Sequence, residues 1–341
     1  MKPIRLDANQ PSRLYRGGPA IARFRGVSSS DGYVPEDWVG STTAIFGKEP
    51  RGLTVLPDGR LLRDAIAAEP EAFLGAAHVS RFGADTALLV KLLDAGEQLP
   101  VHSHPDRAFA REHLGARYGK SEAWLIVEAG GERPLLHIGF REDVEVETLA
   151  DWVSRQDHTS MLESLNEVPV APGDCIYVPG GTLHSIGKGV FMVEVQEPSD
   201  LGVMLDWSGF EIAGPEEAAM GLGFDVALGC VRRTALGSEE LDSWTRRSKY
   251  APEIRPGARS VVPPEAEQFF RAEWLRPEPV VALEPSYSIL VVVDGDGRLE
   301  TRDGALDLAR GETVLVPYDA GAGELSGPIE VVRCLPPLPE E

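Results

Sequence analysis

Two short stretches constrain this chain more than anything else in it: GEQLPVHSHP, carrying His102 and His104, and PGDCIYVPGGTLHSIGKG, carrying His184. On a β-strand, residues i and i+2 point to the same face, so His102 and His104 present two imidazoles side by side. Between the stretches lies GKSEAWLIV, an apolar strand-like run with Glu122 near its start. Three neutral imidazoles and one carboxylate suit Zn²⁺, Mn²⁺, Fe²⁺, Co²⁺ or Ni²⁺. A His-x-His pair alone reads as ordinary polar surface as readily as a metal site. The flanking turns favour the metal: Gly96-x5-His102-x-His104, then Gly173-x5-Pro179-x-Gly181-x2-His184. Tight strand reversals use glycine for positive φ or close backbone approach, and a proline ends a strand because it cannot donate to the ladder.

That spacing resembles the two sequence motifs of cupins, small double-stranded β-barrels with a metal in the barrel mouth. In a typical cupin the carboxylate follows the His pair closely. Here Glu122 comes later, so PDRAFAREHLGARYG is an inserted loop or helix. The insertion narrows the resemblance to the type I mannose-6-phosphate isomerases, in their shorter bacterial branch. The likeness runs through LLVKLLDAGEQLPVHSHPD, GKSEAWLIV and VAPGDCIYVPGGTLHSIGKGVFMVEVQEPSD. It extends to LYRGG and PEDWVGST near the start and to TSMLESLNEVPVAPGD ahead of the second motif. The fold it implies is mainly β: a bicupin of two double-stranded β-helix (jelly-roll) barrels with a few inserted helices.

With 341 residues the chain is long enough for two domains. At 43% hydrophobic and 26% charged it has the composition of a globular protein. Its net charge of −21 argues against nucleic acid and anionic membrane surfaces as partners. A phosphorylated substrate remains compatible, because a local Lys or Arg cluster inverts the field. Three cysteines, Cys175, Cys230 and Cys334, with no short spacing, read as reduced thiols of a cytoplasmic protein. No apolar export segment or 18-residue apolar run is present.

Along the chain, TAIFG and LTVLP read as short strands, EPEAFLGA as a helix, and ETLADWVSRQDHTSMLESL as one or two helices. VFMVEVQ alternates, with Phe191, Val193 and Val195 on one face and Val190, Met192, Glu194 and Gln196 on the other. Residues 215–250 are helix-prone, and PPEAEQFF opens a second unit. There Gly311-x5-Pro317 in GETVLVPYDAG repeats Gly173-x5-Pro179, with VVVDGDGRLE upstream as a hairpin signal. All seven histidines lie at or before His184. The expected division is therefore a metal-binding catalytic cupin over residues 1–250 and a degenerate second cupin over 263–341 without metal ligands.

The resemblance implies an aldose–ketose isomerase acting on mannose 6-phosphate and fructose 6-phosphate or a related sugar. One divalent metal, Zn²⁺ foremost, would be held by His102, His104, Glu122 and His184. Glu194 would be the base or proton relay, and Lys120 would stabilise oxygen charge or hold substrate. On pattern alone, Glu194 is equally a solvent-facing strand residue and Lys120 a surface turn lysine. Three departures stand out. The family's isomerases carry Gln where this chain has His102 and Ser where it has Pro100. They carry an arginine after the SD of EVQEPSD, where this chain offers Val203, Met204 and Leu205. Losing Ser and Arg removes phosphate recognition from one side of the pocket, which points to a neutral sugar or to binding without turnover. A sugar-binding regulatory cupin and a non-isomerase metal cupin such as an oxygenase are the alternatives. Monomer and homodimer are both open.

Overall fold

The computed structural model describes residues 1–28, 32–131 and 134–339. It is mainly β, with short helices set between antiparallel strands. A six-stranded sheet runs in the order Thr245–Arg247, Asp174–Val178, Glu122–Ala129, Val190–Gln196, Leu89–Asp94, Glu36–Val39. A five-stranded sheet runs Val203–Met204, His102–Ser103, His184–Ile186, Leu135–Phe140, Leu165–Pro169. The two lie face to face: the Trp124 indole of the first sheet meets the His184 ring of the second, centroids 5.2 Å apart. Strands Val190–Gln196 and Asp174–Val178 are buried along their whole length, which is why both read as near-continuous apolar runs.

The C-terminal half forms a ten-stranded sheet centred on Ser288–Thr301, flanked by Thr313–Val316 and Ile329–Leu335. Ile289, Val291 and Val332 of its central strands join the large core shared with the first half. Leu290, Val292 and Val331 point into a separate core within the second half. The chain's first strand, Ile4–Arg5, pairs with Thr313–Val316, so the N-terminus is part of this second sheet.

The helical readings hold with adjustments. EPEAFLGA contains the helix Pro70–Leu74, between Leu62–Ala68 and Ala76–Phe82. ETLADWVSRQDHTSMLESL forms two helices, Val146–Arg155 and His158–Glu163, separated at Gln156, whose φ is 54°. PDRAFAREHLG folds as the helix Arg107–Leu114. TAIFG and LTVLP are not strands: turn-forming bonds such as Ile45 N–H to Arg51 O take the backbone donors, and Val55 makes only an isolated bridge to Leu61. DGDGR does not turn either. Asp294–Arg298 lie inside the 14-residue strand Ser288–Thr301, with a register shift between Val292 and Asp294, and the reversal comes after Thr301. The strand there changes partners, from Thr313–Val316 to Gly304–Ala309, and small flexible residues serve the bend. The Gly–Pro echo is structural: Gly173 and Gly311 have φ of 88° and 92°, and each precedes a buried strand closed by proline.

All three cysteines are free and buried. No helix among the described residues is long and apolar enough to cross a membrane.

Candidate metal centre and active pocket

The three histidines converge. His102 and His184 stand directly opposite each other in register, and His104 reaches the same point from the residue after strand His102–Ser103. One ligating atom from each ring lies within 4.8 Å of the others. Each Nδ1 is 2.8 Å from a backbone carbonyl: Pro100 for His102, Leu201 for His104 and Thr182 for His184. A carbonyl only accepts, so each Nδ1 carries the proton and each Nε2 keeps its lone pair, the tautomer a metal requires. Burial keeps the rings neutral, holding His104 down to about 4, His184 to about 3 and His102 well below the usual imidazole range.

Glu122 opens the strand Glu122–Ala129 across from them. Its Oε1 is 3.3 Å from His184 Nε2 and 3.5 Å from His104 Nε2. Burial pushes against ionisation of Glu122, but Lys120 and the imidazoles outweigh it and hold the carboxyl well below its ordinary range. The buried Nε2 of His184 has no hydrogen-bond partner. An orphaned buried nitrogen facing two imidazoles and a carboxylate fits a divalent metal, since such a group is otherwise costly. The set is nitrogen and oxygen only, which suits Zn²⁺ and its first-row neighbours.

Lys120 and Glu194 lie at the same pocket, 5% and 2% exposed, so neither is the surface residue that pattern alone allows. Lys120 Nζ is 2.8 Å from His104 Nε2, bonds Glu122, and lies 3.7 Å from Glu194 Oε1. That Glu194 oxygen makes no hydrogen bond. Burial raises the Glu194 carboxyl, with Lys120 and Lys91 opposing, and a raised carboxyl is a stronger base when ionised.

Four further residues complete the pocket and escape a reading by motif. Lys91 stands opposite Glu194 in register, with Nζ 3.4 Å from Glu194, 3.7 Å from Glu36 and 3.8 Å from Asp200, over the Trp38 ring. Arg13 forks onto Asp200 at 3.0 and 3.1 Å and reaches Glu36 through Nε at 3.1 Å. The signal for Lys91 is a charge set in the middle of LLVKLLD, an apolar run buried on both faces. Arg13, Glu36 and Asp200 have no such local mark. At the departures, Pro100 contributes its carbonyl to His102 and lines the pocket, and Met204 lines it where a cation is absent. The guanidinium of this pocket comes instead from Arg13, in the N-terminal segment.

A family model described as the cupin domain of mannose-6-phosphate isomerase matches residues 273–336. The mannose-6-phosphate isomerase of Streptococcus mutans is 32% identical over 203 residues, spanning 58% of each chain. Mannose-6-phosphate isomerase ManA of Bacillus subtilis is 26% identical over 254 residues, 72% of this chain and 73% of that one. The crystal structure of the mannose 6-phosphate isomerase from Bacillus subtilis superposes with a TM-score of 0.77 at 23% identity, over 98% of this chain and 99% of that chain. Partial sequence matches and a whole-chain likeness of fold point the same way: the chain is similar in sequence to mannose-6-phosphate isomerases and shares their fold.

Proposed function

We propose that the protein is a metal-dependent isomerase interconverting mannose 6-phosphate and fructose 6-phosphate, or a closely related aldose–ketose pair. The observation that carries this is the pinning of three imidazoles by their Nδ1 protons, with Glu122 beside them and Glu194 within 4 Å of two lysines. His102, His104, His184 and Glu122 would hold one divalent ion, with Zn²⁺ the favoured identity. When bound, the ion polarises a sugar carbonyl.

The chain's own groups would do the rest. Glu194 takes the proton from the carbon next to the carbonyl and returns it to the neighbouring carbon, so one carboxylate serves both half-reactions. Lys120 donates to the oxygen on which negative charge develops, and Glu122 keeps it charged. Lys91, fixed by Glu36, Glu194 and Asp200, holds Glu194 in place and limits how far its proton affinity rises. Arg13 spends its fork on Asp200 and Glu36, so it orders the pocket more than it advertises charge to a phosphate.

The same reading divides the molecule into a catalytic cupin over residues 1–250, with Ile4–Arg5 crossing to the other sheet, and a second cupin from 263 onward, making a bicupin. A small sugar or sugar phosphate would be the partner and the cytoplasm the compartment.

The test is turnover by metal-reconstituted protein on mannose 6-phosphate and free mannose, side by side. Conversion of the ester at an enzymatic rate supports the proposal. Turnover of mannose alone moves the substrate to neutral sugars. Silence on both, with metal content verified, overturns the isomerase.

A further inference from the structure

The two halves pair their strands in the same way. Val190–Gln196 lies between Glu122–Ala129 and Leu89–Asp94, as Ile329–Leu335 lies between Ser288–Thr301 and Arg271–Leu275. In the first half Glu194 faces Lys91 on one side and Trp124 on the other. In the second, Arg333 faces Glu273 and Leu290. The third neighbours agree, with Glu122 opposite Val178 and Ser288 opposite Val316. The register thus sets Arg333 where the first half has Glu194, Glu273 where it has Lys91, and Ser288 where it has the ligand Glu122. The first two charges are inverted, and the third is replaced by a neutral hydroxyl.

A cavity of about 360 Å³ opens at this end of the second sheet, lined by Arg255, Arg271 and Arg333 with Glu273 and Glu284. Arg333 is 2% exposed; its Nε donates to Ser288 Oγ at 3.2 Å and its Nη2 to the Glu284 carbonyl at 2.7 Å. Arg255 takes both oxygens of Glu273, at 3.0 and 2.6 Å, leaving Arg333 Nη1 at 3.6 Å from that carboxylate. Arg271 donates Nε to the Pro336 carbonyl at 3.0 Å. Among the described residues no carboxylate lies within ion-pair distance of Arg271, and its two terminal nitrogens make no hydrogen bond. His78, also at the cavity, uses Nε2 on the Asp85 carbonyl and is kept neutral by burial.

Three guanidiniums gather around one carboxylate in ion-pair contact, Glu273, with Glu267 and Glu284 as the further acidic neighbours, so the ion pairing at the cavity itself favours positive charge although the chain's net charge is −21. Arg333 is buried and Arg255 and Arg271 are partly so, and positive charge held out of water in this way is costly unless an anion joins it. Burial brings the Arg333 guanidinium down to about 10, and repulsion by Arg255 and Arg271 adds to this, yet it stays charged at neutral pH. We propose that this cavity binds an oxyanion of phosphate size, held by the terminal nitrogens of Arg271 and by Arg333 Nη1. Fork-shaped guanidinium donors match the oxygens of a phosphate. The cavity has room for more than the anion, so a phosphate monoester of a small metabolite is the class it fits. It is also bounded by Leu74 and His78 of the N-terminal helices and by the segment Leu335–Pro339, so the anion ties three parts of the fold together. The second half, which has no histidine, would hold a pocket at the corresponding place and use it for the opposite charge.

Calorimetric titration of the full chain with inorganic phosphate and with glycerol 3-phosphate tests this, with Arg271→Gln and Arg271→Lys alongside. Saturable binding weakened at least tenfold by Arg271→Gln, with an intermediate loss in Arg271→Lys, is the expected result, together with a phosphate-dependent rise of Tm that is largest in the wild type and smallest in Arg271→Gln. Tighter binding of the ester than of free phosphate assigns the site to a phosphorylated metabolite; equal or weaker binding assigns it to the free ion. Both support an oxyanion site. If Arg271→Gln fails to fold, Arg271→Lys decides. Absence of binding by the wild type, or wild-type affinity in the variants, overturns the proposal.

Discussion

The candidate metal centre rests on three backbone carbonyls as much as on three imidazoles, because each carbonyl fixes a proton on Nδ1 and frees Nε2. Removing one ligand leaves that scaffold standing. His184→Ala and Glu122→Ala are expected to lose stoichiometric metal, read by elemental analysis, while circular dichroism shows an unchanged fold. Retained metal in both variants would overturn the ligand set. Glu36 carries a separate prediction. It accepts from Tyr15 and from Trp38 Nε1 at 2.6 Å and lies 3.1 Å from Arg13. Burial raises its pKa, but Arg13 and Lys91 prevail and bring it from 4.5 to about 2. A carboxyl depressed on folding contributes stability above its unfolded value and loses it as pH falls toward the folded one. Glu36 should therefore contribute on the order of 3 kcal/mol at neutral pH, fading between about pH 4.5 and 2. Glu36→Gln should lower Tm at pH 7 and flatten the acid limb of a Tm-against-pH curve; an unchanged acid limb would contradict this. At this scale the sequence was legible where geometry is local. His102 and His104 share a strand face by their spacing. Arg13, Glu36, Lys91 and Asp200 meet only because four separate segments pack together, and no local pattern encodes that meeting.

Among the elements, the inserted helix Arg107–Leu114 is tied most closely to the site. Asp106 caps it by accepting from Phe109 N–H at 2.8 Å, and Lys120 N–H bonds the Pro105 carbonyl at 2.9 Å. A Cβ on Gly119 would stand 2.6 Å from the Pro105 oxygen and 2.6 Å from the Asp106 carbonyl carbon. Backbone cannot yield cheaply, so Gly119→Ala must move either the helix start or the strand that presents Lys120 and Glu122. It should cost about 1–3 kcal/mol and weaken metal binding at least tenfold. Gly115, which ends the helix with φ of 61° and has open space around it, provides the contrast. Gly115→Ala should cost about 1 kcal/mol and leave metal affinity alone. Equal metal affinity in the two variants would show that the clamp does not reach the site. Elements with a clear period were readable, such as the paired helices of 146–163 and the buried strand Val190–Gln196. DGDGR misled because a bend inside a long strand and a hairpin ask for the same residues; strand pairing decides between them, and that is a nonlocal property.

At the scale of the molecule, one apolar core joins the two halves. Phe270, Ala272, Ile289, Val291, Val332 and Cys334 of the C-terminal sheet share it with Ile176, Tyr177 and Val193 of the half that carries the three histidines. The Phe270 and Tyr177 rings meet edge to face with centroids 6.4 Å apart. Residues 263–341 by themselves would expose this whole face to water. They would also lack Ile4–Arg5, Glu253–Arg255 and Ala258–Ser260, three strands of their own sheet. The C-terminal half is therefore expected to fold only within the full chain, even though its sequence repeats the Gly–Pro pattern of the first. Calorimetry should find a single transition with calorimetric and van't Hoff enthalpies in agreement. Phe270→Ala should destabilise that one transition by about 3–5 kcal/mol, because a fully buried ring leaves a cavity that close packing cannot fill. The variant should also shed metal at lower denaturant, although Phe270 belongs to the other half. Two separable transitions, with Phe270→Ala shifting only the one that leaves the metal in place, would show that the halves are stable independently. A well-folded 263–341 fragment would show the same.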